Sequence, residues 1–312
     1  MERGTATRVS VAVLTRLLLV TLTFVLIVVL SQVAMASART RLERADLPTI
    51  AGQAWEGTQD YFTSLASGSL GEATSTSILG GQRRAMGELL VDAYSKSMIL
   101  VFLATGLATV MGILIGMLAA ATRSARSRGI LLTLTTLTVS LPSFLVAILL
   151  VLFGSELTAR YGVRLWPTFG FGIDNHLILP VIVLALRPFA QIANFAYLAT
   201  DDILRLDYIR TARAKGLAES VIFARHALPN AAVPIIGAVA TGVSIALSTL
   251  PVVEVFFSWP GLGFALLQAV RRFDAATAGT LLGALAATIA VLRFALDALA
   301  DHFSERATGA PV

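Results

Sequence analysis

Hydrophobic residues form six long runs along the chain, separated by polar segments. The runs cover residues 17–37, 97–122, 129–155, 177–200, 231–253 and 275–300. Each is long enough to cross the apolar part of a bilayer, which takes an α-helix of about 20 residues. Four runs contain no charged residue, whereas the fourth holds Arg187 and the sixth holds Arg293 and Asp297. The pattern predicts an all-α membrane protein with six transmembrane helices.

The first run could be mistaken for a secretory signal, because basic residues precede it. Its apolar core is about twice as long as that of a typical signal peptide, so we expect a helix that remains in the mature chain. The sequence AMA at residues 34–36 offers a cleavage site, and removal of the segment is the alternative.

Composition agrees with a membrane protein that has the lipid bilayer as its surroundings. Hydrophobic residues make up 56% of the 312 residues, charged residues 14%, and the mean hydropathy is +0.80. Soluble proteins carry about a quarter charged residues. The chain has no cysteine, which excludes disulfides and thiolate metal sites, and we expect no metal and no nucleic acid as a partner.

The net charge of +5 bears on orientation, because cytoplasmic loops of membrane proteins are enriched in Lys and Arg. The short loop at residues 123–128 holds three arginines, and residues 205–225 hold five basic side chains. We therefore expect both termini in the cytoplasm. Three arginines just after the first run count against this orientation.

Proline and glycine punctuate two of the runs. Pro142 is expected to kink the third helix, because proline removes a backbone hydrogen bond. Gly112 and Gly116 are four residues apart, a spacing that lets two helices approach closely. The partner helix can belong to this chain or to another subunit.

Residues 254–274, EVFFSWPGLGFALLQAVRRFD, are too broken to span and too apolar for an ordinary loop. Irregular backbone at membrane depth is tolerated where protein or a water-filled cavity surrounds it. We expect a segment that enters the membrane partway, next to a passage.

One membrane domain is expected, divided along the chain into three parts. Residues 1–96 carry the first helix and a polar outer loop at 38–96, residues 97–303 form the transmembrane core, and residues 304–312 form a cytoplasmic tail.

The most patterned polar segment is DYIRTARAKGLAESVIFARHALPN, at residues 207–230. Apolar residues at three-residue spacing predict a helix over 202–215, capped by Asp201 or Asp202 and ended by Gly216. A second short helix is expected at about 219–228, with Pro229 and Pro234 marking a turn into the fifth run. Two short helices at nearly a right angle would form a knob on the cytoplasmic side.

This segment resembles the cytoplasmic EAA loop of binding-protein-dependent ABC permeases of the dipeptide, oligopeptide and nickel branch. The matching residues are Asp207 to Leu217, followed by His226, Asn230 and Pro234. VVEVFFSWPGLG and YFTSLASGSLGEA are similar to two further family segments, so the resemblance covers about three quarters of the chain. It departs from the family in lacking LPGDP after the first run and DPR near the C-terminus, and in having Tyr197 where an arginine is common.

The resemblance implies a MetI-like type I ABC importer fold and a first-permease subunit in the inner membrane of a bacterium. Its partners would be a second permease, two ATP-binding subunits or domains, and an extracytoplasmic substrate-binding protein. ATP and Mg would be bound by the partner subunits, with no cofactor in this chain. The solute would be a di- or oligopeptide, and a nickel chelate or another small solute is the alternative.

The resemblance also assigns candidate residues. Those expected to couple the chain to the ATPase are Arg205, Asp207, Tyr208, Arg210, Thr211, Ala212, Arg213, Ala214, Lys215, Gly216, Leu217 and His226. Their positions within and beside the apolar runs make Arg187, Glu254, Trp259 and Asp274 candidates along the substrate path. Arg187 could instead keep its charge at an inter-subunit or water-lined surface. Glu254 could instead cap the turn that follows it, and Trp259 could be an interface anchor.

Two other functional classes are weighed against an ABC permease. An enzyme is disfavoured because neither lysine lies in a glycine-rich phosphate loop and the three histidines lie near the ends of the runs. A secondary transporter is the stronger rival, since such proteins also use broken helices and buried charges. Arg187, however, has no carboxylate in its own run with which to relay protons.

Overall fold

The computed structural model of the protein describes Thr15, Leu18 and residues 21–38, 46–67, 85–122, 124–162 and 166–308. The helices in this part of the chain are α1 (Thr21–Ala38), α2 (Leu47–Ala66), α3 (Met86–Ala121), α4 (Ala125–Ser140), α5 (Ser143–Tyr161), α6 (Ile178–Leu204), α7 (Asp207–Ala214), α8 (Glu219–Ile222), α9 (Leu228–Phe257), α10 (Leu262–Arg271) and α11 (Ala275–Thr308). A 3-10 turn at Asn175–Leu177 leads into α6, and a π-helical turn at Phe223–Ala227 joins α8 to α9.

Six helical stretches of the described chain are long and apolar enough to cross a membrane, which confirms the expected number and an all-α multi-pass membrane protein. They are Thr21–Ala38, Met86–Ala121, Ser143–Tyr161, Asn175–Leu204, Glu219–Phe257 and Ala275–Leu296. α3 begins at Met86 rather than at residue 97. Charged residues lower the hydropathy of the first turns, so the hydropathy pattern does not show where the helix begins. Two of them, Lys96 and Asp92, form an ion pair one helical turn apart.

The third run is not one kinked helix, as the sequence suggested, but two separate helices. α4 ends at Ser140 and α5 begins at Ser143, with Pro142 between them in an extended conformation (ψ 136°). Proline cannot donate the backbone hydrogen bond that would continue α4, and its ring clashes with the preceding turn. The Pro142 carbonyl instead starts α5 by accepting hydrogen bonds from the backbone N–H groups of Leu145 and Val146.

The chain folds into two compact units that do not follow chain order. The first consists of Met1–Ile99, Phe169–Phe171 and Glu254–Ala290, and the second of Leu100–Thr168, Gly172–Val253 and Val291–Val312.

In the first unit, α2 lies against α1 and the first turns of α11. α2, a helix of 20 residues, occupies part of the polar segment 38–96 that was expected as an outer loop. The Tyr61 ring packs near that of Phe24, and the hydroxyl groups of Tyr61 and Thr280 are 3.2 Å apart. Gly279 of α11 packs against Ser31 of α1.

In the second unit, α3 and α6 approach each other closely at the pair of glycines. A Cβ at Gly112 would lie 2.9 Å from the Ile192 side chain, and one at Gly116 would overlap the Ala193 carbonyl oxygen. Of the two alternatives from the sequence, the contact within the chain is therefore present. The absence of side chains at these positions lets the helix backbones meet.

Gly116→Ala is expected to lower the unfolding temperature of the purified protein, because the new methyl group must push α6 away from α3. Overpacking of this kind costs about 1–3 kcal/mol. Gly106→Ala on the same helix is the matched control, since a Cβ there meets nothing within 4 Å. Equal melting temperatures for the two variants in detergent would contradict the close approach.

Candidate functional site

The first helix of the knob is shorter than the sequence predicted, and the predicted cap is wrong. α6 continues through Asp201 and Asp202 to Leu204, and α7 begins at Asp207 after an extended Leu206 (ψ 150°). The apolar spacing crosses this break without interruption, so periodicity alone could not locate it.

The stop signal at Gly216 is confirmed. Gly216 has a φ of +75°, a left-handed conformation that glycine adopts without steric cost. Its N–H donates to the Arg213 carbonyl at 2.9 Å, and the N–H of Leu217 donates to the Ala212 carbonyl at 3.3 Å. These two bonds form a Schellman motif, which satisfies the last carbonyl groups of α7.

The knob has a small core of its own. Ile209 and Ala212 of α7 pack with Ile222 of α8, and all three side chains are buried. The Arg213 guanidinium also binds the Glu219 carboxylate, with Nε and Oε1 2.8 Å apart. These contacts fix α7 against α8 as one rigid piece.

The second helix of the knob is not separate, and no turn occurs at Pro229 or Pro234. α8 continues through the π-helical turn at Phe223–Ala227 into α9, and both prolines lie inside the helical run. Pro229 lacks an N–H and would clash with the carbonyl four residues earlier in a regular helix. A π-helical turn widens the backbone at this point, so the helix passes the proline unbroken.

The predicted coupling residues lie together on α7 and on the segments beside it, mostly in solvent. Those with exposed side chains or backbone are Arg205, Asp207, Tyr208, Arg210, Thr211, Arg213, Ala214, Lys215, Gly216 and Leu217. Ala212 is buried, and His226 is half-buried with its ring facing Tyr208.

The second predicted group contains a buried carboxylate at the end of α9. Glu254 is fully buried, and its Oε2 accepts hydrogen bonds from the backbone N–H groups of Gly263 at 2.6 Å and Phe264 at 3.2 Å. Its Oε1 accepts a 2.5 Å hydrogen bond from the Ser97 hydroxyl, whose oxygen accepts from the N–H of Leu262. The first N–H groups of a helix lack partners within it, so Glu254 and Ser97 together cap α10.

Trp259 is fully buried in the turn between α9 and α10. Its indole N–H donates to the Lys96 carbonyl at 3.1 Å. The Phe171 ring packs edge-on against the indole, with the ring centroids 4.8 Å apart. The Lys96 ammonium lies 4.9 Å above the Phe171 ring. The turn is therefore held from two sides by residues that are distant in sequence.

Asp274 caps α11 in the same unit. Its carboxylate accepts hydrogen bonds from the N–H and the hydroxyl group of Thr277, at 3.0 and 2.7 Å. The structure thus brings Glu254, Trp259 and Asp274 onto one turn-helix-turn segment, where each stabilises local backbone. Sequence reasoning missed Ser97, because nothing in the spacing links it to a residue 157 positions away.

Arg187 belongs to the other unit, on α6, and is exposed. Within the described part of the chain it has no hydrogen bond or ion pair. The other three residues predicted along the path belong to the first unit.

Residues 112–309 match the sequence profile of the family described as the binding-protein-dependent transport system inner membrane component. The chain is 30% identical to the peptide transport system permease protein SapB of Salmonella typhimurium, over 71% of this chain and 78% of that protein. It is 29% identical to the putrescine export system permease protein SapB of Escherichia coli K12, over the same shares. It is 30% identical to the di/tripeptide transport system permease protein DppB of Pseudomonas aeruginosa, over 77% of this chain and 76% of that protein.

The fold is similar to that of a chain in inward-facing crystal structures of the MetNI methionine ABC transporter. The TM-score is 0.56 at 19% sequence identity, over 70% of this chain and 97% of that chain. The expected MetI-like fold is confirmed.

Glu254→Ala is expected to lower the unfolding temperature markedly, because it leaves two backbone N–H groups and the Ser97 hydroxyl without an acceptor. Each unsatisfied buried group costs about 1–3 kcal/mol. Glu254→Gln is expected to lose less, since its amide oxygen can still accept from the backbone. The control is Glu156→Ala, which removes an exposed carboxylate. If Glu254→Ala melts at the temperature of this control, the capping role is wrong.

Proposed function

Because this chain belongs to the family of binding-protein-dependent transport system inner membrane components, we propose that it carries di- or oligopeptides across the membrane as one of two permease subunits of an ABC importer. Members of this family work with ATP-hydrolysing and substrate-binding partners. The exact set proposed here is a second, different permease, two ATP-binding subunits or domains, and one extracytoplasmic binding protein. The chain itself carries out transport and no catalysis, and ATP and Mg²⁺ are bound by the ATPase partners.

The observation that carries the proposal is the rigid connection between the knob and α9. The Ile209 core and the Arg213–Glu219 ion pair lock α7 to α8, and α8 is continuous with α9. A movement of α7 therefore reaches a membrane-spanning helix without passing through a flexible joint. This is what a coupling element requires when ATPase subunits close and the permease changes between inward- and outward-open forms.

The exposed face of α7 is suited to bind another protein. Tyr208 on α7 and Leu217 just after it are 42% and 41% exposed, and the charged side chains of Arg210 and Lys215 in the same segment are exposed as well. We place this face, and both chain termini, in the cytoplasm of a bacterial cell, on the side where ATP is available. The charge distribution of the loops supports this orientation.

The peptide assignment rests on the segment Asp207–Leu217 and on the di/tripeptide relative, which matches over about three quarters of each chain. A nickel chelate or another small solute, carried by the same machinery, is the alternative. In such importers the binding protein delivers the solute. The ligand that a co-purified binding protein binds therefore identifies the solute.

Co-purification tests the coupling role. We expect ATPase chains to be recovered with the wild-type protein from gently solubilised membranes, and recovery to fall by about tenfold or more with Arg210→Glu/Lys215→Glu, because both changes reverse charges on the docking face. The matched control is Arg126→Glu/Arg128→Glu, the same charge change at the start of α4. Recovery of no ATPase with wild type, or equal recovery with both double variants, would overturn the proposal and favour a secondary transporter.

Gly216→Val is expected to abolish ATP-driven uptake while the protein still inserts in the membrane. A β-branched residue strongly disfavours the left-handed conformation at this position, so the Schellman motif is lost and α7 no longer holds its angle. Gly216→Asn is the control, because asparagine tolerates this conformation. Both are measured as solute uptake by cells that contain equal amounts of the protein; normal uptake by the valine variant would disprove the role.

A further inference from the structure

Arg187 lies near the middle of a membrane-spanning helix and is exposed. It is the only charged residue between residues 178 and 200, in a span that runs from Asn175 to Leu204. In the part of the chain that the structure describes, no group forms a hydrogen bond or ion pair with its guanidinium. Something outside the chain must therefore solvate or bind this charge.

Most of the α6 surface is covered by other helices of the same unit. Gly116 of α3 meets its backbone, the Thr135 hydroxyl of α4 binds Asn194 at 2.9 Å, and Gly242 of α9 faces Pro188. α5 also packs on α6. Only a narrow stripe of α6 remains uncovered.

Arg187 is the first residue of this uncovered stripe. The following positions on the same face, at helical spacing, are half-buried Gln191 and then Phe195 and Leu198, which are 44% and 53% exposed. Gln191 follows Arg187 by one helical turn, so the two positions share a face of α6. The middle of the span thus presents two adjacent polar groups with several N–H donors.

Such a stripe does not suit a lipid environment. An arginine at the centre of a spanning helix costs at least about 2.5–3.5 kcal/mol in contact with acyl chains, and it cannot easily reach the membrane surface from mid-helix. Ionisable residues within spans usually face a water-filled cavity or another helix. In a permease that forms half of a translocation path, the water-filled cavity is that path.

We propose that Arg187, assisted by Gln191, lines the translocation path and binds the carboxylate of the passing solute. The inference rests on the proposed peptide function, because every unmodified linear peptide ends in a carboxylate. A guanidinium presents parallel N–H donors that match the two oxygens of a carboxylate, a geometry that lysine does not reproduce. Charge-based binding at one point of the path would favour solutes with a free carboxylate over equally sized solutes without one.

The natural absence of cysteine allows a direct test of charge at this position. Arg187→Cys is reconstituted in proteoliposomes with the second permease, the ATPase subunits and the binding protein, and ATP-dependent uptake of labelled trialanine is measured. The variant is then treated with a thiol reagent that attaches an aminoethyl group or with one that attaches an ethylsulfonate group. The wild-type complex receives both reagents to correct for reaction with the partner subunits.

Uptake is expected to fall about tenfold or more in Arg187→Cys, to recover with the cationic aminoethyl group, and to stay low with the anionic group. Arg187→Lys should retain more uptake than Arg187→Gln. Ala190→Cys, which is buried on the same helix, is the control that should not react with either reagent.

Different results overturn different claims. If the wild-type complex takes up trialanine, any one of three results would disprove the carboxylate site and leave the peptide function standing. These are normal transport by Arg187→Cys, no reaction of the new thiol with either reagent, and the same effect of both reagents on uptake. Loss of the second permease from the purified Arg187→Cys complex would assign the arginine to a subunit contact instead. Absence of trialanine uptake by the wild-type complex would overturn the peptide function, and this inference with it.

Discussion

The constraint that shapes this protein is the need to satisfy every backbone polar group in a chain that sits largely in hydrocarbon. Helices meet this need internally, so the difficult points are the places where a helix stops or starts. Three such points among the described residues have different solutions. The Pro142 carbonyl begins α5, the Schellman motif at Gly216 ends α7, and the Glu254 carboxylate begins α10.

The proposed coupling element lies at one of these breaks. The knob exists because α6 ends at Leu204 and the chain folds back through α7, while the π-helical turn at Phe223–Ala227 restores a continuous helix into the membrane. A regular helix across residues 200–230 would present no projecting surface. A flexible loop would present a surface but could not transmit force, so the local core around Ile209 is as important as the exposed face.

Two charges within spans show two different solutions to the same cost. Glu254 is buried among donors from Ser97, Gly263 and Phe264, and it stabilises a turn that would otherwise leave N–H groups unpaired. Arg187 is exposed on α6, away from any described partner, and its charge depends on what lies outside the chain. The cost of the Glu254 carboxylate is met by donors within the chain, whereas the cost of the Arg187 cation must be met from outside it.

The sequence by itself determined the number of spans, the stop at Gly216, the segment that forms the knob and the family, because hydropathy, glycine chemistry and motif order are local properties of the chain. The tertiary structure decided what local patterns cannot encode. Whether Pro142 kinks or separates helices, where α6 gives way to α7, and whether Pro229 breaks a helix depend on which neighbours accept the freed hydrogen-bonding groups. The pairing of Ser97 with Glu254 is the clearest case, since only folding brings together two residues so far apart in the chain. It favours the cap among the roles that the sequence left open for Glu254.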